Sequence, residues 1–176
     1  MKLKLAYYGN SILRKRAEEI PAVTEEIKQI VQEMDRVMHE NNGAGLAAPQ
    51  VGLSLRLFIL RVDIPGKNED EYTPGPLEVY INPKISLPSE SLHYFNEGCL
   101  SIPGIRADVL RPDSVTIEAI DLEGKPFKME CDGLRARIIM HENDHINGML
   151  FIDRLSKQHR DSLEPRLRAV KKKYSK

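Results

Sequence analysis

His141-Glu142-Asn143-Asp144-His145 sets two imidazoles four residues apart with a carboxylate between them. On an α-helix, residues i and i+4 share a face, so His141 and His145 can aim two nitrogens at one point. Neutral imidazole is a good ligand for zinc or ferrous iron, and Glu142 is placed to move protons at a metal-bound water. This is the chemistry of metal-assisted hydrolysis. Two hydrogen-bonded helix histidines beside an exposed glutamate would show the same spacing. The rest of the chain must therefore supply a third ligand, an open coordination position and a substrate groove.

Three positions compete for the third ligand. The extended pattern H-E-x-x-H-x-x-G-x-x-H finds Gly148 but has Phe151 where its last histidine belongs, and phenylalanine cannot bind a metal. A thermolysin-like arrangement takes a glutamate about twenty residues downstream, which points to Glu164. Glu164 precedes Pro165 in a basic segment, and nothing beside it suggests a buried ligand. Cys99 is the better candidate. Its thiolate is a strong ligand for zinc or ferrous iron, and a metal lowers a thiol's pKa. Gly98 gives the backbone room, and Leu100 presents an amide N–H just beyond.

The elements that must position these groups follow from periodicity. Residues 24–42 read as an amphipathic helix, with Ile27, Ile30, Val31, Met34, Val37 and Met38 on one stripe, Thr24 as N-cap and Glu25 and Glu26 in the first turn. Residues 11–19 suggest a short helical turn. Gly43-Ala44-Gly45-Leu46-Ala47-Ala48-Pro49-Gln50 is too poor in bulk for ordinary core, and its glycines let another backbone approach. Residues 56–62 read as a strand, 63–76 as a charged surface loop and 79–81 as a short strand ending at Asn82-Pro83. After a polar loop around residues 88–90 comes Glu97-Gly98-Cys99-Leu100-Ser101-Ile102-Pro103-Gly104. Residues 114–122 and 127–131 read as a β-hairpin turned by Glu123-Gly124-Lys125-Pro126. Asp132 reads as N-cap of the motif helix, on which Leu134, Ile138, His141 and His145 continue one core-facing stripe.

The fold class expected is α+β, with mostly antiparallel sheet wrapped around the H-E-x-x-H helix, an N-terminal amphipathic helix and a basic C-terminal helix. The 176 residues, 41% hydrophobic and 30% charged, suit one globular domain with a real core. We expect that domain over residues 1–155 and a basic helical tail over 156–176. The formal net charge is zero. From Arg154 onward, however, nine basic residues face only Asp161 and Glu164, so an acidic body carries a basic tail. No apolar run reaches the ~18 residues of a membrane span, and no signal or transit peptide is visible at the N-terminus. The expectation is a cytoplasmic protein with no membrane partner, in which Cys99 and Cys131 are not a disulfide. Cys131 reads as a core side chain.

Three motifs together carry a resemblance: residues 43–50, Glu97-Gly98-Cys99-Leu100-Ser101, and His141-Glu142-Asn143-Asp144-His145. With the flanks Val51-Gly52, Asn147-Gly148 and Leu150-Phe151, the chain resembles the peptide deformylases over essentially residues 3–155. One departure is Asn143, where the family usually has an apolar residue. It lies about 200° around the helix from the histidines, so a small packing effect and none on ligation is expected.

The resemblance implies hydrolytic removal of the formyl group from the N-terminal formyl-methionine of newly synthesised proteins. It implies one divalent metal on Cys99, His141 and His145, with ferrous iron typical and zinc, nickel or cobalt as substitutes. Metal-bound hydroxide would attack the formyl carbon, with Glu142 as general base and then acid. The Gln50 amide and the Leu100 N–H would stabilise the oxyanion. Gly43, Ala44, Gly45 and Gly98 would line an edge that accepts an extended peptide, Ile138 would wall the methionine pocket, and Glu97 and Arg106 would support substrate. The basic tail has two readings, a solvated terminus or a dock on ribosomal RNA. Its removal after Leu155 is expected to spare turnover of a short formyl-peptide. Two rival readings are an H-E-x-x-H endopeptidase using Glu164 and a non-catalytic, ribosome-binding relative.

Overall fold

The computed structural model describes residues 1–175. Its strands are β1 (Gly45–Ala47), β2 (Leu57–Leu60), β3 (Ile64–Pro65), β4 (Tyr72–Thr73), β5 (Glu78–Ser86), β6 (Leu92–Cys99), β7 (Ile102–Pro112), β8 (Ser114–Ile120) and β9 (Pro126–Asp132). Its α-helices are α1 (Glu25–Glu40), α2 (Gly133–Ile146) and α3 (Lys157–Tyr174). Three sheets result: an antiparallel one in the order β1-β2-β5-β8-β9, the small pair β3-β4, and the long hairpin β6-β7. The α+β class holds.

Helix α1 forms because its sequence meets local and packing demands together. Thr24 Oγ1 accepts a hydrogen bond from the Ile27 N–H at 3.3 Å, capping the first turn. The apolar stripe from Ile27 to Met38 is buried against Leu46, Leu57, Ile59 and Ile81. A second cluster joins β8 and β9 to α2, through Val115, Ile117, Ala136 and Ile139.

Within residues 63–76, read as a loop, β3 and β4 pair at Ile64↔Thr73 and Pro65↔Tyr72, and the structure departs from the sequence reading at four further places. The strand expected to stop at Asn82-Pro83 runs on to Ser86 through a bulge, where the pairing steps from Ile81↔Ile120 to Lys84↔Glu118. Asn82 takes φ +49°, which Asn tolerates, and Pro83 has no N–H to leave unpaired. Asn82 also locks the N-terminal segment by exchanging two hydrogen bonds of 2.8 Å with the Ile20 backbone.

The second departure is β6, which lay in a segment read as loop and motif. Its residues 92–96 are exposed, so it shows no apolar alternation. The third is at the start of α2. Asp132 occupies the N-cap position without a side-chain capping bond, and Leu134 is 49% exposed instead of continuing the buried stripe. The fourth concerns the basic tail. Its helix α3 buries Leu163, Leu167 and Val170 against Ile105, Val109, Leu150 and Phe151, so it is packed onto β7 as part of the body.

No helix among the described residues is long and apolar enough to cross a membrane. Both cysteines are free thiols.

Candidate active site

Two elements bring the candidate ligands together. Helix α2 carries His141 and His145 one turn apart, both buried. The β6-β7 hairpin carries Cys99 near its tip, where the pairing jumps from Gly98↔Arg106 to Cys99↔Ile102. Such irregularities commonly re-aim a side chain beside a functional site. Sγ of Cys99 lies 3.3 Å from Nε2 of His145, and the three ligand atoms of Cys99, His141 and His145 fall within 4.8 Å of one another.

The chemistry of this donor set fits a divalent ion. Two imidazoles and a thiol are the ligand types of zinc and ferrous sites. Burial and the neighbouring positive groups His141 and Arg111 hold His145 well below its usual pKa, in the neutral form that ligates. His141 goes the other way. Burial opposes its charged form, but hydrogen bonds to Cys99 and Glu97 outweigh that and favour a cation there. A metal at this position would displace that proton, because only the neutral imidazole ligates.

Glu97 fixes the orientation of His141. Its Oε1 accepts from His141 Nδ1 at 2.8 Å and from Arg111 Nη2 at 2.9 Å. Its Oε2 accepts from Arg111 Nε at 2.7 Å and Arg137 Nη1 at 2.8 Å. With Nδ1 engaged, Nε2 of His141 is the nitrogen left for a metal. Burial alone would raise the pKa of Glu97, but His141 and Arg111 hold it well below the usual carboxylate range. Glu97 was expected to support substrate. Its carboxylate is instead buried and committed to these three partners.

Arg111 and Arg137, together with Asp144, are functional residues that the sequence reading missed. Arg111 Nη1 donates to Asp144 at 2.9 Å, and Asp144 also accepts two 2.6 Å bonds from Arg154. Charged residues on a strand or helix ordinarily read as surface, and here only their partners make burial tolerable. The available signal was Asp144 itself, next to a histidine expected to face the core.

Glu142 is buried, with Oε2 lacking a hydrogen-bond partner among the described residues. Burial pushes its pKa up to about 7, partly offset by His141. Strand β1 passes directly over it: a Cβ built on Gly45 would stand 2.6 Å from Glu142 Oε1 and 2.8 Å from Ile138 Cγ2. Only glycine lets this edge strand lie so close.

Gln50 follows in a 3₁₀ turn, Ala48–Val51, begun by Pro49. Its Oε1 accepts from the Ala47 N–H at 2.8 Å, which fixes the amide so that Nε2 points to Cys99 Sγ at 3.4 Å and Ser101 Oγ at 3.3 Å. Leu100 lies in the turn between Cys99 and Ser101. Gln50, Cys99 and Leu100 border one cavity of about 740 Å³, shared with Gly43, Ala44, Gly98, Arg106, Ile138 and Glu142. Arg106 sits at its exposed rim, tied to Asn96 by bonds of 2.7 and 2.9 Å. Glu164 is elsewhere, paired with Arg160 and Arg168 on α3, and so is no ligand. Asn143 is partly exposed while both histidines are buried, the separation expected around the helix.

An antiparallel α+β fold with a Cys-His-His cluster beside the glutamate of H-E-x-x-H has the donor set that a metal-dependent hydrolase requires. The sequence profile of the polypeptide deformylases matches residues 2–161. A peptide deformylase of Synechococcus sp. (strain CC9605) is 43% identical over 166 residues, covering 94% of this chain and 79% of the relative. Peptide deformylase 1B of Arabidopsis thaliana, named as chloroplastic/mitochondrial, is 42% identical over 98% of this chain, which spans 61% of that relative's length. The crystal structure of the Arabidopsis enzyme with an inhibitor matches with a TM-score of 0.86 at 42% identity, over 99% of this chain and 92% of that one. The chain belongs to the polypeptide deformylase family.

Proposed function

We propose that the protein removes the formyl group from N-terminal formyl-methionine of newly made polypeptides, releasing formate and a free amino terminus. The observation that carries this reading is the position of Glu142. Its unpartnered Oε2 is buried beside the Cys99, His141 and His145 cluster and beneath the edge strand β1.

Cys99, His141 and His145 would hold the metal, with ferrous iron the first choice from the family and zinc, nickel or cobalt as replacements. When bound, a divalent ion supplies Lewis acidity and a water that ionises near neutral pH. Glu142 takes the proton of the attacking water and passes it to the methionine nitrogen as the C–N bond breaks. Burial suits it to both roles, because a carboxyl near pH 7 accepts and returns a proton readily. The Gln50 Nε2 and Leu100 N–H groups face the carbonyl oxygen as it gains charge. Gln50 is already held in place by Ala47, so it needs no reorganisation.

Strand β1 is the edge of its sheet, since its one neighbour is β2. An extended peptide can add along Gly43 to Gly45 by main-chain hydrogen bonds, which recognises any sequence. Ile138, with the exposed Leu134 at the cavity, offers an apolar wall for methionine. Gly98 and Arg106 border the far side, where the guanidinium can meet peptide carbonyls. The lysines 171–173 at the end of α3 are exposed and suit docking near ribosomal RNA, and a reducing compartment such as the cytoplasm suits a thiolate ligand.

The test is anaerobic release of formate from formyl-Met peptides, with metal content measured on the same sample. Cys99→Ala separates this reading from an endopeptidase: it removes metal and activity here, whereas an endopeptidase ligated by Glu164 would keep both.

A further inference from the structure

Tyr7 and Tyr174, near opposite ends of the chain, stack with ring centroids 3.8 Å apart and planes 16° from parallel. Both rings are half-buried, and both border the cavity that contains Cys99, Gln50 and Glu142. Leu5 and Pro103 border the same cavity, so this part of its wall is apolar.

The pair is held there by the parts of the site itself. The Ala6 N–H donates to the Gln50 carbonyl at 2.7 Å, and the Tyr8 N–H donates to the Ser101 carbonyl at 2.8 Å. Tyr7 therefore sits between two main-chain anchors, one on Gln50 and one on Ser101. Helix α3 brings Tyr174 to it. Arg160 Nη2 donates to the Tyr8 hydroxyl at 3.2 Å, Arg166 Nη2 donates to the Gly104 carbonyl at 2.6 Å, and Leu167 is fully buried. Burial, with Tyr174 beside it, raises the pKa of the Tyr7 phenol against the opposing charge of Lys173, whose Nζ stands 5.3 Å from the Tyr174 ring centroid.

We infer that the stacked Tyr7–Tyr174 pair is a specificity-determining wall, which favours apolar and aromatic side chains in the peptide following formyl-methionine. This rests on the deformylase reading. A peptide whose formyl end lies at Glu142 must leave along the cavity, and two half-exposed rings with Leu5 and Pro103 offer it planar apolar surface. The C-terminal helix then contributes directly to substrate choice.

The chain contains no tryptophan, so a tryptophan in the peptide reports its own binding by fluorescence. Formyl-Met-Ala-Trp is titrated against the metal-loaded full chain in a Glu142→Gln background, which prevents turnover. Formyl-Met-Ala-Gly is measured by displacement. The preference for the tryptophan peptide is expected to fall about fivefold in Tyr174→Ala and in Tyr7→Ala, and to return in Tyr174→Phe. An unchanged preference, an equal loss for both peptides, or no binding of either would overturn the inference. Tyrosine-dependent binding without formate release by the unsubstituted protein would instead sink only the deformylase reading.

Discussion

Glu97 accepts the Nδ1–H of His141 at 2.8 Å while both its oxygens are also held by Arg111. The histidine is thus oriented by a carboxylate that two buried arginines keep in place. Glu97→Gln retains the size but loses the charge. Metal affinity is expected to fall roughly 10–100-fold, the usual cost of losing a partner behind a ligating histidine. Glu97→Ala should also lower stability by about 3–5 kcal/mol, because Arg137 is left buried without its counter-charge and Arg111 keeps only Asp144. Equilibrium dialysis and denaturant unfolding check the two effects separately.

Gln50→Ala removes the proposed oxyanion donor and the acceptor of the Ala47 N–H. The expected loss is about 3–4 kcal/mol of transition-state stabilisation, falling mainly on kcat, with metal content retained. Steady-state kinetics beside metal analysis would show it. A loss confined to KM would place Gln50 in substrate binding alone.

Gly45→Ala and Gly98→Ala form a contrast. At Gly45 the new Cβ meets Glu142 Oε1 at 2.6 Å, and that carboxylate is buried and cannot retreat without leaving its place. At Gly98 it meets Arg106 Nη1 at 2.7 Å, the end of a flexible, exposed side chain. Activity should therefore collapse in Gly45→Ala and fall far less in Gly98→Ala. The two variants' kcat/KM values compared with their melting temperatures test this.

The clustering of His141 with His145 and the strong helix α1 were legible because helical spacing alone puts their side chains on one face. Glycine at 45 was legible as a close approach, though not what approached it. Strand β6 was not legible: with Leu92 to Asn96 exposed, it buries no alternating face and gives no period-2 signal. The network of Arg111, Arg137 and Asp144 was hidden for a related reason. Sequence spacing says nothing about which distant charge will meet another: Arg111 and Glu97 meet across the β6-β7 hairpin, and they reach Asp144 and Arg137 only because that hairpin and α2 close on each other.

The tail is the instructive case. Its basic residues dominate the sequence pattern, yet Leu163, Leu167 and Val170 at helical spacing bury the helix against β7. Leu167→Ala is expected to cost about 2–5 kcal/mol, and truncation after Leu155 to destabilise the body as well as remove charge. Chemical denaturation of both variants checks this. A truncated chain as stable as the full one would make α3 an appendage.

The most direct measurement is formate release from a formyl-Met peptide by anaerobically prepared protein and by its Glu142→Ala variant, each with its metal content determined. The expected result is metal in both and turnover in the first alone, if Glu142 carries the proton while Cys99, His141 and His145 hold the ion. Equal turnover by the metal-loaded variant would contradict the assignment of Glu142.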